Sequence, residues 1–548
     1  MKKVYLLFFV LLSICGKAQF INQLTFKLSF TAHQVDSVIQ AQGIPAGIFH
    51  PAYPVKVYKV VYNTVSWDST STIASGLLAV PVGLSCKTNI VSYQHGTTMK
   101  KSSAPSNLKG EWFIALAAAS IGHVIVMPDY LGLGDGPGLH PYQHAHTEAT
   151  AVIDLIRAAK EVVDTMGAPV NDQLFLFGYS EGGHATMAAH QLIQEKLDNV
   201  MHVTADASMS GAYDMSGVMG DLMTSNNPYP DPFYLPYLFF GYNQVYHAFT
   251  NDSDVFIHPY DSILRPLYDG MHDGWQVNNV MPNVPKLIMQ QNQIDSFVND
   301  SLNYFKVLLR QNNTYNWLPT SPIRMYYCQG DRNVPYQNAI VAYKHFKQNG
   351  ATNVDTIDVN PLLDHVPCAQ FAILGATYWF DSLAYKPLSS TTTVINATSS
   401  SSPNGIAIAN PLNGDSPFKF VWNTGDTTAT IGNLAAGTYY VTITDESLCT
   451  KTDSAVVQLI SGLQNEVLIN VRVYPNPTTG KITIENSNTG DQILLTEVFD
   501  ISGRLIKTYA IKQGNNTLLY FDEATQGIYM LHLKAESGKE VWRKLTLL

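Results

Sequence analysis

A chain of 548 residues is long enough for three or four domains. Its 46% hydrophobic content, with 37 Gly and 28 Pro, is that of a folded globular protein and excludes a mostly disordered or collagen-like chain. Only 14% of residues are charged, and 33 Lys plus Arg against 43 Asp plus Glu leave a formal net charge of −10, which argues against a nucleic-acid binder. Low charge with 30 Tyr, 23 Phe and 7 Trp fits a secreted protein that works on uncharged or partly apolar material.

The first residues predict export. Lys2 and Lys3 precede an apolar run from Val4 to Cys15, and Gly16-Lys17-Ala18 places small residues before a cut at Gln19. This is the pattern of a secretory signal peptide over residues 1–18, too short to span a membrane. Ile14 stands where a lipoprotein site needs a small residue, so Cys15 is not read as a lipid anchor. No later run reaches 18 apolar residues, so the mature chain is expected to be soluble and without a transmembrane segment. Cleavage leaves Cys86, Cys328, Cys368 and Cys449, which an oxidising compartment can pair in three ways.

From 19 to 388 strand and helix signals alternate. Val55–Thr64, Thr72–Val80 and Asn89–Gln94 read as strands, Trp112–Ile121 as a helix, His123–Pro128 as a buried strand and Glu148–Val163 as a helix. Gln173–Gly178 is a strand and Ala185–Leu197 a helix; strands at Val203–Ser210, Ile323–Gln329 and Val354–Val359 alternate with helices at Pro335–Gln348 and Ala369–Tyr385. This predicts an α/β domain with a mostly parallel sheet. The alternation breaks over about 211–320, a stretch rich in Tyr, Phe and Pro that is expected to be an inserted cap. Residues 389–402 read as a Ser/Thr linker. Two small all-β sandwich modules are expected after it, over 403–462 and 463–548.

The chemistry gathers in the α/β part. Gly178-Tyr179-Ser180-Glu181-Gly182-Gly183 follows a buried strand and precedes a helix. A serine hydroxyl becomes a useful nucleophile only when held exposed beside a base, and a sharp strand-to-helix turn flanked by glycines does this. The Glu181 N–H then points at a developing oxyanion from the helix N-terminus. Asp331 and His365 each lie just after a strand, in the chain order Ser, acid, His. His365 is expected to take the Ser180 proton and Asp331 to orient its ring. Asp364 is the rival acid, but a residue adjacent to the histidine cannot easily fold back onto its ring. Thr97, in the Gln94–Thr98 loop after a strand, is the candidate second oxyanion donor. Cys328 lies three residues before Asp331 and Cys368 three after His365, which predicts a Cys328–Cys368 disulfide and leaves Cys86 and Cys449 free.

His140, His144 and His146 could suggest a metal, but no cysteine or paired carboxylates converge on them in sequence, so loop packing is the reading and no metal or cofactor is expected. The aromatic run of Tyr229, Phe233, Tyr234, Tyr237, Phe239, Phe240, Tyr242, Tyr246 and Phe249 fits either an acyl channel or the cap's own core.

These residues resemble the α/β-hydrolase family over about 50–388, and its secretory-lipase and lipase-A-like branch more closely. The carriers are YQHGT at Tyr93–Thr97, PDYLGLG at Pro128–Gly134, HPY at His140–Tyr142 and GYSEGG at Gly178–Gly183. The resemblance implies ester hydrolysis by Ser180, His365 and Asp331 under a cap. Glu181 departs from the amide or small residue common after the nucleophile; local hydrogen bonding and discrimination against anionic substrates both remain open for it. Residues 403–453 resemble the immunoglobulin-like repeats of Bacteroidetes gliding adhesins. Residues 471–548, with VYPNPTTGKITIEN and GIYMLHL, resemble the C-terminal sorting domain of type IX secretion. Together these imply passage through the type IX machinery, then release or surface attachment. The expected function is a secreted esterase or lipase acting on small-molecule or lipid esters. An α/β-hydrolase peptidase with the same triad, favoured if Glu181 meets a substrate amine, is the alternative, and a surface adhesin with a degenerate hydrolase domain is a further one. Every candidate catalytic group precedes 388, so residues 19–388 are expected to fold and turn over small esters by themselves.

Overall fold

The apolar runs assemble into one nine-stranded sheet in the computed structural model, which describes residues 20–44, 49–84, 86–385, 388–460, 471–487, 492–511, 516–521 and 526–548. The expected signal peptide lies outside the described residues. The strands are β1 (Ile21–Phe30), β2 (Val55–Val65), β3 (Ser71–Pro81), β4 (Thr88–Gln94), β5 (Val124–Pro128), β6 (Val170–Tyr179), β7 (Ala205–Met209), β8 (Ile323–Tyr327) and β9 (Val354–Asp358). Their order is β1-β2-β3-β5-β4-β6-β7-β8-β9. Pairing is antiparallel from β1 to β5 and parallel from β5 to β9.

Helices explain the uninterrupted apolar strands. All five residues of β5 are buried, because both faces of the sheet are covered. One face packs against α1 (Ala32–Ala41), α2 (Phe113–Ser120) and the helix His365–Leu383, through Val35, Ile39, Leu116, Ala372, Ala376 and Phe380. The other packs against α3 (Ala145–Lys160) and α4 (Glu181–Lys196), through Val152, Leu155, Ile156, Ala189 and Ile193. Each fully buried aliphatic side chain contributes about 1.5–3 kcal/mol. β1 is different: it pairs with β2 alone and is largely exposed, although Leu24, Phe26, Leu28 and Phe30 alternate with polar residues as in a strand.

Between β7 and β8 lies the irregular stretch expected as a cap. It carries helices at Tyr234–Tyr246, Gln291–Asn299 and Tyr304–Gln311. Its aromatic run divides: Phe233, Tyr237, Phe239, Phe240 and Tyr242 form a core of their own, with Phe239 stacked on Phe305 at 4.0 Å between ring centroids.

The chain forms two units. The first runs through Leu388 and includes two later stretches, Asn413–Pro417 and Asp445–Thr450. It contains two disulfides. Cys328–Cys368 forms as expected, with a Cα separation of 6.1 Å. Cys86 is bonded to Cys449, which corrects the expectation that these two are free. Next to that bond the Lys87 amide donates to the Ser447 carbonyl at 3.1 Å.

The second unit is all β. Ser390–Ile395, inside the stretch read as a linker, is a strand paired antiparallel with Gly405–Pro411. Its threonines are β-branched and suit a strand despite their polarity, so the linker reading is corrected there. Strands from 390 to 457 form two three-stranded sheets. From 471 onward a three-stranded and a four-stranded antiparallel sheet enclose Ile482, Ile484, Val498, Leu531, Leu533 and Leu545.

Candidate active site

β4 and β6 are neighbours, yet the chain leaves β4 to form β5 on its far side before returning to β6. The reversal opens a crevice at their carboxyl ends, where parallel sheets place ligands. The loop after β4 carries His95, Gly96 and Thr97, and the turn after β6 carries Ser180.

Ser180 has φ 62° and ψ −122°, a conformation costing a non-glycine residue about 1–3 kcal/mol. The surroundings hold it there. Its amide donates to the Met209 carbonyl at 2.9 Å, and its carbonyl accepts from Gly183 N at 2.9 Å. The turn also needs bare backbone: a Cβ on Gly178 would lie 2.3 Å from the Gly182 oxygen, and one on Gly182 would lie 1.9 Å from the Gln94 oxygen.

Two loops from the far side of the sheet meet this serine. His365 Nε2 is 2.8 Å from Ser180 Oγ, and His365 Nδ1 is 2.6 Å from Asp331 Oδ2. The other Asp331 oxygen accepts from the amides of Asn333 at 2.9 Å and Val334 at 2.8 Å, so the carboxylate cannot swing away. Tyr179 donates its hydroxyl to the His365 carbonyl at 2.5 Å. The Cys328–Cys368 bond joins the end of β8 to the first turn of the helix that His365 begins. All three side chains are buried. The chain of contacts can move a proton from the hydroxyl to the imidazole while the carboxylate holds the ring.

Asp364, the rival acid, is occupied elsewhere. It caps the helix by accepting from His365 N at 2.9 Å, and it pairs with Arg332 through Nε at 2.8 Å and Nη2. Partial burial works against its charge, but the Arg332 and backbone hydrogen bonds outweigh this and hold it below the usual carboxylate range.

Thr97 shares the cavity at Ser180, and Glu181 follows Ser180 at the start of α4. Gly96 N is tied to Glu111 Oε2 at 3.2 Å, which also accepts from Tyr93, and Thr97 Oγ1 lies 3.1 Å from Tyr142 OH. The Glu181 side chain turns inward, fully buried, with Oε1 2.6 Å from His140 Nε2. Local hydrogen bonding is therefore its role. It does not line either cavity at Ser180, so Glu181 itself is not placed to meet a substrate amine.

Among the described residues, His140, Glu148 and Glu181 bring potential ligand atoms within 4.8 Å of one another. Both His140 nitrogens are already engaged, however, Nδ1 with the Leu131 carbonyl at 2.8 Å. His144 bonds Thr147 Oγ1 at 3.0 Å, and burial, with nearby His146, His184 and His140, pushes it down to about 3. Sequence reasoning missed this network because His140 and Glu181 are 41 positions apart and nothing local links them.

Two cavities meet at Ser180. One is apolar and runs under the cap between Ala212, Met215, Met219, Leu238, Leu309 and Val334. Of the aromatic run, Tyr229 and Tyr234 reach it. The other is more polar and lies among His95, Thr97, Ser103, Glu111 and His365.

Residues 100–205 match the secretory lipase family, and residues 472–547 match the secretion system C-terminal sorting domain. Among solved structures, the chain is 31% identical to a protein assigned as a hydrolase from Legionella pneumophila subsp. pneumophila str. Philadelphia 1, over 66% of this chain and 98% of that one, with a TM-score of 0.62. It is 25% identical to the rice cell wall degrading esterase LipA from Xanthomonas oryzae, over 67% of this chain and 96% of that one, with a TM-score of 0.59. Candida antarctica lipase A in its closed state shares the fold at 15% identity, over 67% and 82% of the two chains, with a TM-score of 0.50. No curated protein matches the chain by sequence. No helix among the described residues is long and apolar enough to cross a membrane.

Proposed function

The chain belongs to the secretory lipase family of α/β-hydrolases and ends in a type IX sorting domain, and from that premise we propose that it is an exported serine hydrolase that cleaves carboxylic esters through an acyl-enzyme on Ser180. The hydrolase class follows from the family; the observation that carries the finer reading is the unbroken run of contacts from Ser180 Oγ through His365 to Asp331. His365 Nε2 accepts the serine proton as Oγ attacks the ester carbonyl, and Asp331 stabilises the imidazolium. The amides of Thr97 and Glu181 receive the oxyanion. His365 returns the proton to the leaving alcohol, and a water repeats the sequence to release the acid.

The two cavities suggest how an ester lies. An uncharged acyl chain suits the apolar cavity under the cap, and the alcohol suits the polar cavity beside Glu111. Nitrophenyl esters of rising acyl length, run beside aminoacyl anilides, test this. Turnover that rises from acetate to medium-chain acyl groups, with anilides orders of magnitude slower, is expected. Equal turnover of anilides and esters overturns the assignment. Export follows the same logic: removing residues 472–547 in the native host should leave active enzyme inside the envelope.

A further inference from the structure

The proposed mechanism leaves a second buried histidine–carboxylate system unused. His140, Glu148, Glu181 and His184 are all buried, the two glutamates almost completely. His140 meets Glu181 Oε1 at 2.6 Å through Nε2 and the Leu131 carbonyl at 2.8 Å through Nδ1. His184 meets Glu148 Oε2 at 2.6 Å through Nδ1 and the Asn312 carbonyl at 2.9 Å through Nε2. Carbonyl and carboxylate oxygens only accept, while a neutral imidazole has a single N–H. Each histidine thus faces two acceptors, and each His–Glu pair holds one proton more than a neutral ring beside a protonation-free carboxylate would need. Burial alone would push His140 and His184 down, but Glu181 and Glu148 respectively reverse this and hold them above the usual histidine value.

His140 is joined to Tyr142 by the single residue Pro141. Tyr142 is itself fixed, stacked on Tyr237 at 4.6 Å with 7° between ring planes, while His140 stacks on Tyr130 at 5.6 Å. From that one segment the first side chain grips Glu181 and the second grips Thr97. These are the two residues whose amides face the reacting carbonyl in the proposed mechanism, and they come from the ends of different strands. We propose that His140 and Tyr142 are positioning residues that clasp Glu181 and Thr97 and so set the spacing of the two oxyanion amides. The inference rests on Ser180 being the nucleophile. An oxyanion hole acts mainly in the transition state, so loosening it lowers kcat more than it raises KM.

The test uses the full chain with a short nitrophenyl ester, a trifluoromethyl ketone that forms an oxyanion on serine, and a fluorophosphonate that labels Ser180. Removing a whole oxyanion donor costs about 10²–10³ in rate, which bounds the effect of displacing one. Tyr142→Phe should lower kcat about tenfold, and His140→Ala about a hundredfold, with KM within about threefold. Affinity for the ketone should fall by the same factor as kcat/KM. His140→Ala also strands a buried carboxylate, which can destabilise the fold. The double variant His140→Ala/Glu181→Gln removes that charge and should regain thermal stability without regaining kcat. Full recovery of kcat in the double variant means that His140 only neutralises a charge, and this overturns the proposal. Unchanged kcat and ketone affinity in Tyr142→Phe overturn it as well. If the fluorophosphonate fails to label Ser180 in the unaltered protein, the functional reading itself has failed, a result separate from either.

Discussion

Ser180 touches one histidine–carboxylate pair and is followed in sequence by a member of another, and the two differ in what the second ring nitrogen meets. Both have a nitrogen-to-oxygen distance of 2.6 Å. In the pair with Asp331, the other nitrogen of His365 faces a hydroxyl, which can donate. In the pair with Glu181, the other nitrogen of His140 faces a carbonyl, which cannot. The first pair has room to accept a proton; the second is already full. In the reading proposed above, similar side chains at similar distances serve chemistry in one place and geometry in the other, and the group opposite the ring decides which.

The widest gap between the pairs should open on removing the reacting groups. Ser180→Ala or His365→Ala should lower kcat by about 10⁶, and combining them should cost little more, because such a set acts as a unit. A Ser180→Ala enzyme with ordinary ester turnover would end the comparison. The carboxylates should then separate: Asp331→Asn should cost about 10⁴ by leaving His365 without its orienting acceptor. Glu181→Gln should cost no more than about tenfold, because the amide oxygen can still accept from His140 Nε2 and keep the backbone in place. Harmless Asp331→Asn together with a crippled Asp364→Asn would show that Asp364 is the acid after all.

Covalent bracing is the next difference. The Cys328–Cys368 bond closes a separation of 40 residues around Asp331 and His365, for which loop entropy gives about 4 kcal/mol. The Cys328→Ser/Cys368→Ser variant should lose stability of that order in urea titrations, and kcat should fall far less. An unchanged urea midpoint would mean that the bond adds nothing to the fold.

His144 provides the smallest effect and the contrasting case of a buried histidine with a hydroxyl partner and no carboxylate. Its folded-state value of about 3 lies below the unfolded value near 6.5. The unfolded chain therefore binds a proton first as the medium acidifies, and stability is lost as pH falls below about 6.5. At pH 5.5 the loss should be about 1.4 kcal/mol, and His144→Asn should abolish it. Urea midpoints at pH 7.5 and 5.5 for the two proteins read this difference; equal acid losses would place the titration elsewhere.

Much of this was legible in the sequence because the signals were local. HVIVMP and QLFLFG are buried on both faces and read as parallel strands without help. Ser180, Asp331 and His365 follow β6, β8 and β9, so the parallel sheet brings them to one edge. What escaped was mostly unpatterned or distant. β1 is the exception, since Leu24, Phe26, Leu28 and Phe30 alternate with polar residues there and the strand was missed all the same, whereas the Thr-rich strand Ser390–Ile395 has the composition of a linker. The aromatic run of the cap could not be divided between cavity and core, because both uses favour the same residues. The His140–Glu181 contact needs two elements to fold together before its residues meet.

The bond between Cys86 and Cys449 makes the order of residues along the chain a poor guide to what proteolysis can separate. It closes a ring across 363 positions of sequence. One cut anywhere inside that ring leaves a single molecule on a non-reducing gel, whose pieces part only when a reductant is added. A cut beyond Cys449, before the sorting domain begins at 472, sheds that domain at once. A chain ended at Leu388 would carry Cys86 as an unpaired thiol, whereas one ended near 460 would keep the ring closed. If the enzyme is released from its sorting domain, a single cut within 450–471 would free it with both the ring and that domain intact, and a mass measurement of the released form would read the position directly.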